Sequence, residues 1–337
     1  MGQAIYVSHF MFFPTDSSDQ KVYSTLPTRL SLEGYSFRKS LRRLWRRNEV
    51  VFRIEAGAPA VFDKEKARVN SLYAASFPSR AIHDPTSMLE TGSGGRAFDT
   101  REINLYYQDK LVAFSFFDLG KISIYSKQGI YDPAFSTYSP GFFTMLAEIA
   151  FGVEQGVQYY YPGYVVPGYP EFDYKHRVGP LEYFELSSGS WRPHHELREI
   201  DVPINDIRRQ LSLLQSALAH SGANSTVLDY RYFDIRFYDN RPYPFLEYPA
   251  FLLAQPAMPG GLSPLAVYSP VRKTYSLYNC RIYSYGTSSA EAGRRLLKSG
   301  QSVCSWPIGI ESIIAENLLL ETAMPALLQH LHRQASS

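Results

Sequence analysis

Between Phe37 and Asn48 the chain reads Phe-Arg-Lys-Ser-Leu-Arg-Arg-Leu-Trp-Arg-Arg-Asn, and its arginines recur at helical spacing. Wound as a helix over Ser36–Asn48, the segment sets Leu41, Leu44 and Trp45 on one face. Arg38, Arg42 and Arg46 then form a row on the opposite face, with Arg43 and Arg47 in the next. Clustered guanidinium groups bind phosphates through charge and forked hydrogen bonds, although a solvated basic face is the commoner fate of such a run. A second concentration of chemistry lies at Tyr160, Tyr161 and Tyr164 around Gly163, followed by Tyr174, Lys175 and Arg177. Tyrosine offers a flat apolar face and a hydrogen-bonding tip, which suits sheet faces and substrate grooves alike. Asp118 closes an apolar run and Asp132 precedes a proline, positions that turn residues also occupy. His176 and the pair His194-His195 invite a metal. Adjacent histidines point to opposite sides of an extended chain, however, and no third ligand is spaced to join them, so no metal is expected. No Gly-x-Ser-x-Gly elbow supports a Ser-His-Asp triad.

The elements that must position these residues are clearest in the middle of the chain. Asn104–Gln108 and Leu111–Phe117 are apolar, aromatic runs separated by Asp109-Lys110, the spacing of a tight hairpin. A third strand, Ile122–Ser126, follows a turn at Gly120. Ser139-Pro140-Gly141 then opens a helix running to Gln155, with Phe142, Leu146, Ile149 and Val153 on one face and Gly156 as its stop. Val157–Tyr161 returns as a strand. The order strand, strand, strand, helix, strand describes a mixed sheet with a helix packed on it. Upstream, Val50–Glu55 alternates like a strand and Asp63 caps a helix to about Ala75. Downstream the pattern gives a helix over Ile204–Ala219, strands near 230–238 and 275–285, and a proline-rich stretch over 241–264. A last helix spans 310–334, kinked or divided at Pro325. Breaks fall at Gly92–Arg96 and around 192–204. They yield an N-terminal lobe over 1–95 that holds the basic helix, a central domain over 96–196 and an accessory α+β region over 197–337.

The 337 residues and their 45% hydrophobic content provide for ordinary buried cores. No apolar run approaches the ~20 residues needed to span a bilayer, and no signal peptide is read at the N-terminus, so a soluble protein with no membrane partner is expected. With only Cys280 and Cys304 available, neither a disulfide framework nor a cysteine metal cluster is expected, and a reducing, cytoplasmic location fits. A formal charge of +2 does not by itself indicate nucleic acid; the local arginine rows say more. The 26 Tyr and 21 Phe exceed what an aliphatic core needs, for which a tyrosine-rich sheet surface is the plain explanation.

The order of central elements is that of GNAT acyltransferases, in which backbone N–H groups at the helix start hold the pyrophosphate of acyl-CoA. The Gln/Arg-x-x-Gly-x-Gly/Ala signature of that use is missing. A more specific string runs Phe117-Asp118, Ile130-Tyr131-Asp132-Pro133, Ser139-Pro140-Gly141, Tyr160-Tyr161-Pro162-Gly163-Tyr164, Tyr174-Lys175-His176-Arg177 and Trp191-Arg192-Pro193. Over roughly 101–193 it resembles the C-terminal, GNAT-like domain of the aminoacyl-tRNA-protein transferases, the arginyl and leucyl enzymes. The basic helix is similar to that family's Ser-Arg-Ser-Gln-Arg-Arg-x-x-Lys-Arg-Asn helix. Pro140 stands where the family has Leu, the Tyr-Lys string is spaced differently, and the family's N-terminal Cys-x-x-Cys, proposed to bind metal or an iron-sulfur cluster, has no counterpart.

The resemblance implies an α+β fold, a GNAT-like acyltransferase sheet, mixed and mainly antiparallel, with an α+β C-terminal extension. It also implies an activity without a cofactor: a protein's free α-amine attacks the ester carbonyl of aminoacyl-tRNA, forming a peptide bond and releasing tRNA, as in N-degron marking. Such an ester is already activated, so the enzyme must position the pair, take a proton from the amine and steady the oxyanion. On this reading Asp118 orients or deprotonates the amine. Tyr160, Tyr161, Tyr164 and Tyr174 line the groove and stack on the terminal adenine. Lys175 and Arg177 contact an acidic N-terminal residue or the terminal adenosine phosphate, and Arg38, Arg42, Arg43, Arg46 and Arg47 hold the tRNA. An acyl-CoA-dependent N-acyltransferase of the same fold, and a non-catalytic module that binds RNA or a peptide end, remain as rivals.

Overall fold

The computed structural model describes residues 9–14, 20–78, 85–89, 98–233, 245–254, 262–283, 291 and 302–335. The break expected at Gly92–Arg96 lies outside them. The chain divides into two compact units, one drawn from 26–184 with 191–195, the other from the N-terminal hairpin, 185–190 and 196 onward. That hairpin joins β1 (Phe10–Pro14) to β2 (Gln20–Ser24).

The first unit is one eight-stranded, mainly antiparallel sheet with three helices. In chain order it holds β3 (Leu26–Ser31), α1 (Lys39–Glu49), β4 (Arg53–Pro59), α2 (Lys64–Ser76), β5 (Thr100–Tyr107) and β6 (Lys110–Leu119). β7 (Ser123–Tyr131), α3 (Pro140–Glu154), β8 (Tyr159–Val165), β9 (Leu181–Glu185) and β10 (Ser190–Pro193) complete it. The spatial order is β10-β9-β3-β8-β7-β6-β5-β4. The boundary expected near residue 95 thus falls between β4 and β5, which are paired neighbours: Ile54 lies opposite Leu105. The lobe with the basic helix and the central segment share one sheet.

Local chemistry explains each element. α1 has the apolar stripe read from its spacing, Leu41 buried and Leu44 and Trp45 packed against the core. α2 starts where Asp63 Oδ1 accepts from the Lys66 N–H at 2.9 Å. A buried ion pair fastens α2 to the sheet: Lys66 Nζ lies 3.1 Å from Glu102 Oε1, which also accepts from Asn104 at 2.7 Å. The β5–β6 turn is Gln108-Asp109, not the expected Asp109-Lys110. Both residues have positive φ (47° and 63°), as a two-residue primed turn demands, and Lys110 pairs with Tyr107. α3 is apolar almost all round because it is buried between the sheet and α1.

The second unit is a six-stranded sheet with a helix layer. It contains α4 (Pro203–His220), β11 (Ser225–Tyr230), β12 (Ala250–Ala254), β13 (Ser263–Ser269), β14 (Thr274–Ile282), β15 (Val303–Cys304), β16 (Ile308–Leu318) and α5 (Leu320–Ala335). Its order is β15-β11-β12-β13-β14-β16, antiparallel except β11 with β15. The apolar face of α4 is made by Ile207, Leu211, Leu214 and Leu218 at helical spacing, and these pack with Ala323, Leu327 and Leu331 of α5 on one face of the sheet. Two expectations change here. Residues 310–318 are strand rather than helix: their isoleucines pair with β14, and the chain turns at Asn317 (φ 58°) before α5. Pro325 sits inside α5 and does not divide it. The strand expected over 230–238 ends at Tyr230, and residues 234–238 lie outside the described ones. Cys280 and Cys304 are free and buried. Among the described residues no helix is long and apolar enough to cross a membrane.

Candidate active site

β7 and β8 run parallel for only three pairs, Ser123–Tyr159, Ile124–Tyr160 and Tyr125–Tyr161. Beyond them β7 stays with β6, as far as Tyr131 opposite Ala113, while β8 stays with β3, as far as Val165 opposite Leu26. The two strands therefore part, and a gap opens through the sheet just after Tyr125 and Tyr161. A gap in a parallel pair leaves backbone groups and side chains of both strands facing each other across it, a ready cradle for an extended ligand.

On one side of the gap lies α3 and a buried carboxyl that spacing alone did not single out. Glu148 is fully buried on this helix. Its Oε1 accepts from Ser115 of β6 at 2.6 Å and its Oε2 from Tyr160 of β8 at 2.7 Å, with Ser126 of β7 a third hydroxyl donor. Burial pushes the Glu148 carboxyl up to about 7, the hydroxyls opposing it. Three neighbouring strands are thus tied to one carboxyl at the vertex of the gap. Tyr160 is wholly buried there, and burial, then Glu148, raises its hydroxyl well above the ordinary range. The signal available in the sequence was an acid inside the run Gly141-Phe-Phe-Thr-Met-Leu-Ala-Glu-Ile-Ala-Phe-Gly152.

On the other side lies Asp118. Its Oδ1 accepts from Thr100 Oγ1 at 2.6 Å and pairs with Lys127 Nζ at 2.9 Å, while its Oδ2 is buried with no hydrogen-bond partner among the described residues. Lys127 also donates to the Met88 carbonyl at 2.6 Å. Asp118 lies opposite Tyr125, whose hydroxyl is raised by burial first and then by Tyr164 and Asp118, so these three groups sit within electrostatic reach of one another. Lys127 escaped the sequence reading because the third strand was ended at Ser126; β7 runs on to Tyr131.

The segment 170–178, a 3-10 turn, brings the next expected residues to the open end of the gap. Gly163, at φ +92°, bends β8 where it leaves β7. Lys175 is 7% exposed; its Nζ donates to the Tyr164 carbonyl at 2.7 Å and lies 5.0 and 5.2 Å from the rings of Tyr164 and Phe172. Among the described residues no carboxylate pairs with it, and burial pulls its ammonium down to about 8. Tyr174 and Arg177 meet on Phe142 near the start of α3: the Tyr174 ring is edge-on at 6.5 Å and the Arg177 guanidinium lies 4.2 Å from the ring centre. Tyr161 turns to the face away from α3 and packs edge-on against Trp191 at 5.6 Å. The His176 and His194 rings meet tilted, 4.3 Å apart, and burial, aided by His176, pushes His194 down to about 4. Among the described residues no three His, Cys, Asp or Glu side chains are grouped to hold a metal.

α1 is fastened beside the start of α3. Asn48 donates to the Tyr138 carbonyl at 2.8 Å, Arg47 to the Thr137 carbonyl at 2.9 Å, and Trp45 packs on Phe143 at 5.2 Å. Arg38, Arg42, Arg43 and Arg46 are exposed. Pro140 has no N–H, and the Phe142 and Phe143 N–H groups both go to the Ser139 carbonyl, at 3.1 and 2.9 Å. Asp132, the other carboxylate of the sequence string, caps this approach by accepting from the Ala134 N–H at 3.0 Å.

Residues 60–185 match the family model described as arginine-tRNA-protein transferase, C terminus. An aspartate/glutamate leucyltransferase of Leptospira interrogans is 32% identical over 91 residues, which are 27% of this chain and 35% of that protein. Arginyl-tRNA–protein transferase 1 of Saccharomyces cerevisiae is 35% identical over 95 residues, 28% of this chain and 19% of that one. An aspartate/glutamate leucyltransferase of Campylobacter jejuni is 36% identical over 81 residues, covering 24% and 34%. The chain thus spans about a third or less of the length of these curated relatives.

Proposed function

We propose that this chain, whose residues 60–185 belong to the arginine-tRNA-protein transferase C-terminal family, transfers an amino acid from aminoacyl-tRNA to the N-terminal amine of a protein at the gap between β7 and β8. The observation that carries the reading is the parting of these two strands beside Asp118, inside the matched segment. Three antiparallel strands, a helix and a parallel strand that splays from the third support a GNAT-like reading of this unit, in which donor and acceptor meet across the opening.

The α-amine attacks the ester carbonyl and the new C–N bond replaces the C–O bond to the ribose. Of the two protons that the starting ammonium gives up, one leaves to base and solvent before attack and one goes to the departing ribose oxygen, which is released as the hydroxyl. Asp118 presents its Oδ2 to the amine, with Oδ1 fixed by Thr100 and Lys127 so that the carboxylate cannot turn away. Lys175, a buried ammonium whose described hydrogen bond goes to a carbonyl rather than a carboxylate, receives the negative group of the pair of ligands, an acidic N-terminal residue or the terminal phosphate. Tyr164, Tyr174 and Arg177 border the same opening. Tyr160 acts from the core through Glu148. The exposed arginines of α1 hold tRNA phosphates beside it. The start of α3 favours this reading over an acyl-CoA donor, because Pro140 lacks an N–H and the Phe142 and Phe143 amides are already bonded to Ser139, which leaves few helix-start donors for a pyrophosphate. A reducing, cytoplasmic setting is part of the proposal.

The test is incubation with radiolabelled aminoacyl-tRNAs, arginyl and leucyl first, and peptides beginning with Asp, Glu, Arg or Lys. Label in the peptide from one tRNA supports the reading and names the donor. CoA binding with no transfer from any tRNA overturns it.

A further inference from the structure

We infer that the sheet face opposite α3 carries a stacking track for the unpaired end of an RNA, running from beside Asp118 through Tyr125 and Tyr161 to Arg29, Tyr159 and Trp191. It rests on the transferase reading only in naming which RNA end lies there. Alternation along the strands places these residues together. Tyr160 faces α3, where it meets Glu148, so Tyr159 and Tyr161 face the other way. Ile124 packs in the α3 core, so Tyr125 shares their side. The register continues the row across the strands, with Asp118 opposite Tyr125, Tyr125 opposite Tyr161, and Arg29 opposite Glu182.

The row is aromatic and nearly charge-neutral. The Arg29 guanidinium lies 4.2 Å from the Tyr159 ring centre and 4.6 Å from that of Trp191, and its Nε is 2.6 Å from Glu182 Oε2. Tyr161 and Phe184 stand edge-on to Trp191 at 5.6 and 5.4 Å. Tyr125, Tyr159, Tyr161, Trp191 and Arg29 are each half-buried, so the cluster is not closed over. α2 packs on β6 and β7.

Flat rings with a guanidinium among them, and with the cation already neutralised, suit the π-faces of bases better than phosphates. Three strand steps separate Asp118 from Arg29, about 14 Å at ~4.8 Å per step, which is roughly four stacked nucleotides at ~3.4 Å each. A base-paired stem hides its bases in its own stack, so the ligand is the single-stranded end.

The experiment compares two RNA hairpins by fluorescence anisotropy on the full chain, one with a four-nucleotide 3′ overhang and one blunt. The overhang is expected to bind tighter, and Trp191→Ala or Tyr159→Ala to weaken only the overhang hairpin, by about 5- to 100-fold. Trp191→Phe, which keeps the packing, retains most of the affinity. A Trp45→Phe/Trp306→Phe chain, in which Trp191 alone emits, should be quenched by the overhang hairpin and not by the blunt one. Equal binding of the two hairpins, unchanged overhang affinity in Trp191→Ala, or absence of the quench overturns the inference. Both measurements read binding, so they decide it even if the wild type transfers nothing, an outcome that would sink the transferase reading alone.

Discussion

Replacing Glu148 by Gln should make the first unit's stability almost independent of this position's pH response, and the size of the effect follows from its surroundings. The native carboxyl is buried among three hydroxyls, and burial raises it from 4.5 to about 7. Below about pH 4.5 the group is protonated folded and unfolded, and it contributes no pH dependence. As pH rises from there to about 7, the unfolded chain ionises while the folded chain holds its proton, so wild-type stability falls with pH. At about 1.4 kcal/mol for each tenfold change in proton affinity, the full loss is about 3 kcal/mol, of which about 2.5 kcal/mol falls between pH 5 and 8. Gln keeps the volume, and the hydroxyls of Ser115 and Tyr160 can turn to donate or accept. The assay is urea unfolding in a Trp306→Phe background, where the remaining two tryptophans, Trp45 and Trp191, both belong to the first unit. The Gln variant should gain on the wild type steadily as pH is raised. A stability difference that is flat from pH 5 to 8 would refute the assignment of a neutral-range carboxyl at the vertex of the gap.

Lys175→Met should also stabilise the fold at pH 7. The native ammonium falls from 10.5 to about 8, so wild-type stability rises as pH climbs through that interval, a rise the Met variant should lack. The same change should cut transfer at least tenfold, whereas full activity would remove Lys175 from the site. Arg43→Gln with Arg46→Gln should lower the slope of log affinity for tRNA against log salt by up to about 2, since each phosphate contact contributes roughly 0.7–0.9. An unchanged slope in salt titrations puts the tRNA elsewhere.

The central strands and α3 were legible because their signals are local: apolar alternation, a helical face and Gly156, which holds φ +69° at the helix end. Asp63 and the basic row of α1 were legible for the same reason. Pairing across the chain was not. β3 inserts between β8 and β9, partners more than a hundred residues away, and nothing in Leu26–Ser31 announces them. The gap itself is a property of that pairing, since β8 leaves β7 by following β3. Hence Asp118 and Lys175 could be named from the family string, while Lys127, Glu148 and the Arg29 row needed the register. The last strand was read as helix because Ile310–Leu318 continues smoothly into α5 in composition; its pairing with β14 decides the matter. Tyr160 was expected in a groove, but alternation turns it to the core and gives the open face to Tyr159 and Tyr161.

The most direct test of the transfer site is a single-turnover comparison of wild type and Asp118→Asn, with labelled aminoacyl-tRNA prebound and an acidic-ended peptide added. Asn keeps the shape and the Thr100 hydrogen bond but removes the charge that holds Lys127 and meets the amine. The account predicts unchanged tRNA affinity and a fall in the rate of peptide-bond formation of at least about a hundredfold, the scale of a lost acid–base group. Transfer at the wild-type rate by Asp118→Asn would contradict it and place the reaction away from the gap between β7 and β8.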